Sequence, residues 1–215
     1  MNYSAKDNAH TGNHMVPSVA ITIISAYLVI TLIGWFGNGN VVIATIKNRN
    51  LRSRCNILIA VQSFSEIFHQ SAHLITAYFI YSGNYFIPLK RCFQLQLIPN
   101  LFMQFASALM LSIGFDRIFG VCFSNRYRKM RKNMYIFAVM IPAGAYSIMQ
   151  VAAAYHSDRS EQLVVCTVVT IHTGWSQKLF MFGGCLLNIT IVAFYVVMWI
   201  IIRHEGSKCQ LPFHQ

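Results

Sequence analysis

Residues 19–46 read VAITIISAYLVITLIGWFGNGNVVIATI, without one Asp, Glu, Lys or Arg. The charge-free run starts earlier still, at residue 8. Roughly 20 apolar residues in a helix cross the ~30 Å hydrocarbon core of a bilayer. Lipid gives the backbone no hydrogen bonds, so a crossing segment must be a helix or a strand of a closed barrel. Barrel strands are shorter and alternate polar with apolar positions. This run is too long and too uniformly apolar for that.

The pattern repeats along the chain. Residues 92–115, 133–157 and 179–202 carry no charge, and residues 55–89 carry only Glu66. We therefore predict five transmembrane helices, at about 17–46, 55–81, 92–122, 133–154 and 178–203. One such block could be a buried helix of a large soluble protein. Five in 215 residues leave too little polar surface to cover them. The composition agrees: 55% hydrophobic and 11% charged, against roughly 45–50% and about 25% for soluble domains. It argues against a soluble enzyme, a disordered tail and a nucleic-acid-binding domain. The predicted class is an all-α membrane protein. Its domains are an extracellular segment 1–15, a membrane domain 16–204 and a cytoplasmic tail 205–215.

The net charge of +11 is topological. Lys47, Arg49, Arg52 and Arg54 follow the first span. Arg117, Arg126, Arg128, Lys129, Arg131 and Lys132 follow the third, and Arg203 and Lys208 the fifth. The opposite side holds Lys6, Lys90, Arg91, Arg159 and Lys178. Positive loops stay inside, so the N-terminus is expected outside. The basic loop 126–132 is then explained by topology and anionic lipid, without nucleic acid. The N-terminal residues lack the pattern of a cleavable signal, so the first span would insert itself. Asn2 begins a weak outer glycosylation sequon; the match at Asn188 lies mid-membrane and is false.

Cys92 and Cys166 both fall on the outer, oxidising side, where a disulfide is the simplest reading and two free thiols the alternative. The β-branched stretch Val164–Thr170 is expected as a short strand or hairpin around that bridge. Cys55, Cys122 and Cys209 face the cytosol, and Cys185 packs within the fifth span.

Glu66 is a mid-membrane carboxylate. A charge there costs roughly 2.5–3.5 kcal/mol on insertion scales, so it is expected to be neutral or paired and marks a functional candidate. His69 and His73 share its helix face at i+3 and i+7. They form either a metal or proton site, as in a transporter, or a polar stripe along a water-filled cavity. One helix gives too few ligands for a closed metal site, which favours the cavity. Asn38, Gln62, Gln94, Gln96, Asn100 and Gln104 are further intramembrane amides. Gln96, Asn100 and Gln104 recur every four residues, so their stripe points into the bundle. Asp116-Arg117-Ile118 closes the charge-free part of the third span; Asp116 and Arg117 can neutralise each other or bind neighbouring helices.

Taken together, these residues resemble the rhodopsin-like G-protein-coupled receptors. Gly37-Asn38 precedes Leu51-Arg52-Ser53 by 13 residues, Asn56 by 18 and Glu66 by 28, and Cys92 precedes Arg117 by 25. Tyr127 matches an intracellular-loop Tyr and Tyr195 a fifth-helix Tyr of that family. Within it the chain looks most like the nematode serpentine chemoreceptors of the Srsx class, through Leu51-Arg52-Ser53, Glu in place of Asp at 66, and Gly114-Phe115-Asp116-Arg117 leading to Tyr127-Arg128. Departures include the absence of a fourth-helix Trp near Gly144 and of a fifth-helix Pro near Leu187. Ser124 replaces a loop Pro. Pro99 stands where amine receptors carry an Asp, which disfavours a biogenic amine.

The resemblance implies a seven-helix receptor bundle in the plasma membrane that binds an extracellular ligand and a heterotrimeric G protein. Asp116, Arg117, Ile118, Tyr127 and Tyr195 would form the switch. Asn38 and Glu66 would form a mid-membrane network able to hold sodium. His69, His73, Gln96, Asn100 and Gln104 would face the ligand. The sixth and seventh helices have no counterpart here, so the sequence is expected to be a truncated receptor. Such a chain would not switch alone, could be retained in the endoplasmic reticulum, and could pair with full-length receptors. The rival reading is a small transporter or ion pathway using Glu66, His69 and His73. No catalytic constellation or further cofactor is apparent.

Overall fold

The charge-free runs fold as helices. The computed structural model describes residues 4–157 and 162–209. In order these are α1 (Ser4–Lys47), a 3-10 turn (Arg49–Leu51), α2 (Arg54–Tyr81), β1 (Ile87–Pro88), α3 (Leu89–Cys122), α4 (Ser124–Lys129), α5 (Lys132–His156), β2 (Leu163–Val164) and α6 (Gly174–Cys209). Asn2 and residues 210–215 lie outside the described residues. Helix α1 begins at Ser4, within the stretch expected as a separate extracellular N-terminal segment. Helix α6 is longer at both ends than expected.

Local chemistry sets the connection between α1 and α2. The Asn48 side chain accepts the Asn50 N–H at 3.1 Å and caps the 3-10 turn. The Ser53 hydroxyl accepts the Asn56 N–H at 3.3 Å and caps α2. Each satisfies a donor that the start of a helix leaves unpaired. Pro99 lies inside α3 and Pro142 inside α5. Each removes one intrahelical bond, which membrane helices tolerate where neighbours cover the gap.

Helix α3 is the centre: α2, α5 and α6 pack on it, and α1 packs on α2. Leu58 of α2, Leu109 and Ile113 of α3 and Ile136 and Ala143 of α5 form one apolar core. Apolar side chains also cover the outside. Phe36 of α1 is 76% exposed and Phe182 of α6 is 77% exposed. Faces of that kind belong in lipid. Among the described residues, four helical stretches are long and apolar enough to cross a membrane: Val19–Lys47, Leu89–Cys122, Lys132–His156 and Gly174–Ile201. Helix α2 has the length, 28 residues, or about 42 Å at 1.5 Å per residue. Its polar face dilutes its hydropathy, and α1 and α3 flank it.

The other end is stapled. Cys92 of α3 is disulfide-bonded to Cys166. Beside the bridge, β1 and β2 pair antiparallel, Ile87 opposite Val164 and Pro88 opposite Leu163. The expected strand over Val164–Thr170 is thus corrected: it is two residues long and pairs with the segment before α3. Beyond it the chain turns, because the Thr170 hydroxyl donates to Val165 O at 2.8 Å and accepts the Thr167 N–H at 3.1 Å. Such side-chain bonds to nearby backbone compete with a ladder. Cys185, expected to pack, is exposed on α6, whereas Cys55 is buried.

Candidate functional site

At the basic end, Asp116 is 2% exposed and accepts the Tyr127 hydroxyl at 3.1 Å. Helix α4 delivers Tyr127, and Arg54 holds it there. The Arg54 guanidinium donates to Tyr127 O and Met130 O and lies 4.7 Å from the centroid of the Tyr127 ring. That position is a cation–π contact. Tyr135 of α5 meets Tyr127 edge-on, with centroids 5.4 Å apart. Burial, then the charge and hydrogen bond of Asp116, push the Tyr127 phenol up to about 12.

Arg117 does not neutralise Asp116. Among the described residues the two form no ion pair, because successive helix positions point about 100° apart. Arg117 is exposed and lines a cavity of about 570 Å³ with Ile59, Gln62, Val121, Tyr195 and Met198. The structure therefore bonds Asp116 to Tyr127, while Arg117 and Tyr195 line one cavity. Ile118 is half-buried beside them.

In mid-bundle, Glu66 accepts Gln62 Nε2 at 3.2 Å and pairs with His69 Nδ1 at 3.2 Å. Both partners are on its own helix. Asn38 shares no hydrogen bond with it among the described residues. His73 stacks on Tyr27 of α1, with centroids 5.1 Å apart. Among the described residues no three His, Cys, Asp or Glu side chains gather in a metal-sized group. The amide stripe lies elsewhere. Gln96 and Asn100 are fully buried and Gln104 is 4% exposed. Gln96 Nε2 donates to Ala72 O at 3.5 Å. His69 and His73 thus do not join Gln96, Asn100 and Gln104, as the sequence led us to expect. His73 turns toward α1, while the Ala72 carbonyl turns toward α3.

The disulfide loop meets this stripe. His172 is 3% exposed and contacts Asn100 Oδ1 through Nε2 at 3.3 Å and Ser176 Oγ through Nδ1 at 3.0 Å. Its ring stacks on Phe180 at 4.4 Å. Burial lowers its pKa to about 4, so the ring is neutral. Since Asn100 Oδ1 only accepts, Nε2 carries the proton and Nδ1 accepts from Ser176.

The chain's first half-helix aside, all of these residues fall in one matched stretch. Residues 31–212 match the family model described as serpentine type 7TM GPCR chemoreceptor Srsx. The chain belongs to this family. It is thereby a multi-pass membrane protein of a receptor family, not of an enzyme family. No curated protein matches it.

Two residues of this receptor carried no sequence signal. His172 lies among threonines and valines of a loop, and its cover comes from Asn100 of α3 and from Ser176 and Phe180 of α6. Gln150 of α5 is fully buried and donates to the Tyr146 hydroxyl at 2.8 Å. Gln96 Oε1, Asn100 Nδ2, Gln104 Nε2 and Gln150 Oε1 are buried without a protein partner. The receptor's polar belt therefore keeps unused donors and acceptors and carries no formal charge.

Proposed function

We propose that this chain supplies the disulfide end at which a chemoreceptor senses its ligand and the basic end at which it couples to a heterotrimeric G protein. The carrying observation is the division of labour at the Asp116-Arg117 pair. Tyr127 holds Asp116 inside the bundle, which leaves Arg117 on the wall of a cavity shared with Tyr195. A guanidinium there offers five N–H donors to incoming carbonyl or carboxylate groups. The excess of Lys and Arg supports placing this end in the cytosol and the N-terminus outside, in the plasma membrane.

The bond from His172 to Asn100 supports a route from the outer loop into α3. A ligand that moves the loop pulls directly on a buried residue of the central helix. A sodium ion at Glu66 would need several oxygen donors. The groups bonded to that carboxylate are Gln62 Nε2 and His69 Nδ1, so no step is assigned to an ion. An ion pathway along Glu66, His69 and His73 is the second reading, favoured by the Glu66–His69 contact. It requires flux into proteoliposomes that Glu66→Gln abolishes.

The coupling test is capture of a nucleotide-free heterotrimeric G protein by the purified receptor. Capture should fall at least about tenfold in Arg117→Ala, the usual scale for a central interface Arg. Equal capture by both proteins would sink the reading.

A further inference from the structure

A second groove opens on the outside of the bundle, between α1 and α2 at the basic end. Its volume is about 450 Å³, and Val42, Ile46, Ile57, Ala60 and Phe64 line it, with Arg52 at its mouth. Thr45 also lines it, but its hydroxyl donates to Val41 O at 2.9 Å. The walls are therefore apolar and the mouth is cationic. Arg52 donates one N–H to Ile46 O, and a guanidinium has four more to offer. Lys47 and Arg49 stand exposed beside it. Among the described residues, no Lys or Arg forms an ion pair with Asp or Glu.

A groove in lipid is filled by an acyl chain whatever the headgroup. What this site adds is charge at the depth where a phosphate ends the chain. We propose that it binds one anionic phospholipid of the surrounding leaflet, with an acyl chain in the groove and its phosphate on Arg52, flanked by Lys47 and Arg49. Basic pockets of this kind favour anionic over zwitterionic headgroups. The site is independent of ligand and of G protein, so it stands or falls apart from the coupling proposal.

The test is native mass spectrometry of the full chain, purified in detergent and offered equal phosphatidylserine and phosphatidylcholine. Phosphatidylserine should be retained in preference by at least about fivefold, the weight of one surface cation. Lys47→Gln with Arg49→Gln, which leaves the Arg52 contacts in place, should reduce that preference, and Arg52→Gln should bring it near parity. Ala60→Phe should fill the groove and lower retention of both lipids. Equal retention of the two lipids by the wild-type chain would overturn the proposal. So would a preference that survives both charge variants, or glycerophosphoserine competing as well as the intact lipid.

Discussion

The Tyr127 hydroxyl donates to Asp116 Oδ1 at 3.1 Å, so a residue of the short loop helix neutralises the polarity of a carboxylate buried in α3. Tyr127→Phe deletes the donor and keeps the ring. A buried acceptor left without its partner costs about 1–3 kcal/mol. The variant should unfold at a lower temperature in detergent, and Asp116→Asn, which keeps a carbonyl oxygen, should lose less. A Tyr127→Phe midpoint equal to wild type would show that the bond contributes nothing.

The same bond sets an alkaline limit. The Tyr127 phenol is raised from 10 to about 12 by burial and by Asp116. A raised pKa means the folded state holds the proton more tightly than the unfolded chain does. The associated stability is intact below pH 10 and is lost as pH rises from 10 through about 12. Tyrosinate absorbance followed alongside unfolding should show a late-titrating component that shrinks in Tyr127→Phe.

His172 sets the acidic counterpart. Burial lowers its pKa from 6.5 to about 4. The unfolded chain then binds the proton first, so stability is complete above pH 6.5 and declines as pH falls through about 4. His172→Gln keeps hydrogen bonding without titration. Melting temperatures measured across that window should slope for the wild-type chain and flatten in the variant. Parallel slopes would place the titrating group elsewhere.

The Cys92–Cys166 bridge closes a separation of 74 residues and holds the loop that buries His172. Removing a native disulfide commonly costs about 2–5 kcal/mol. Cys166→Ser should lower the melting temperature and erase most of the His172 pH slope, because the loop is released with it. A wild-type slope in Cys166→Ser would mean the loop docks without the bridge.

Two glycines should respond unequally to a methyl group. A Cβ at Gly183 would lie 2.9 Å from the Tyr146 hydroxyl and 3.1 Å from Gln150 Nε2, two groups already bonded to each other. A Cβ at Gly34 would first meet the Gln70 amide, at 2.6 Å, the far end of a flexible side chain. Gly183→Ala should cost about 1–3 kcal/mol by overpacking α5 against α6. Gly34→Ala should cost less, and the reverse order in thermal unfolding would contradict this packing.

The helices were legible because lipid imposes one demand, length without charge, and residues 19–46 and 179–202 meet it openly. The pairing of Cys92 with Cys166 was legible from compartment alone. The bond between Asp116 and Tyr127 was not: sequence names both residues, and only the position of α4 brings them together. The His69 and His73 face was read correctly as one face, but periodicity does not say which helix that face meets. His172 owes its burial to Asn100 of α3 and to Ser176 and Phe180 of α6, so no local pattern in Thr170–Thr173 could reveal it.

At the basic end, Arg52, Arg54 and Lys132 close the loops by donating to the carbonyls of Ile46, Tyr127, Met130 and Arg52. A carbonyl is present whatever side chain the residue bears. The anchors therefore survive substitution of the residues they grip. The side chain at Met130 is thereby free to change while Arg54 keeps the backbone path of its loop unchanged.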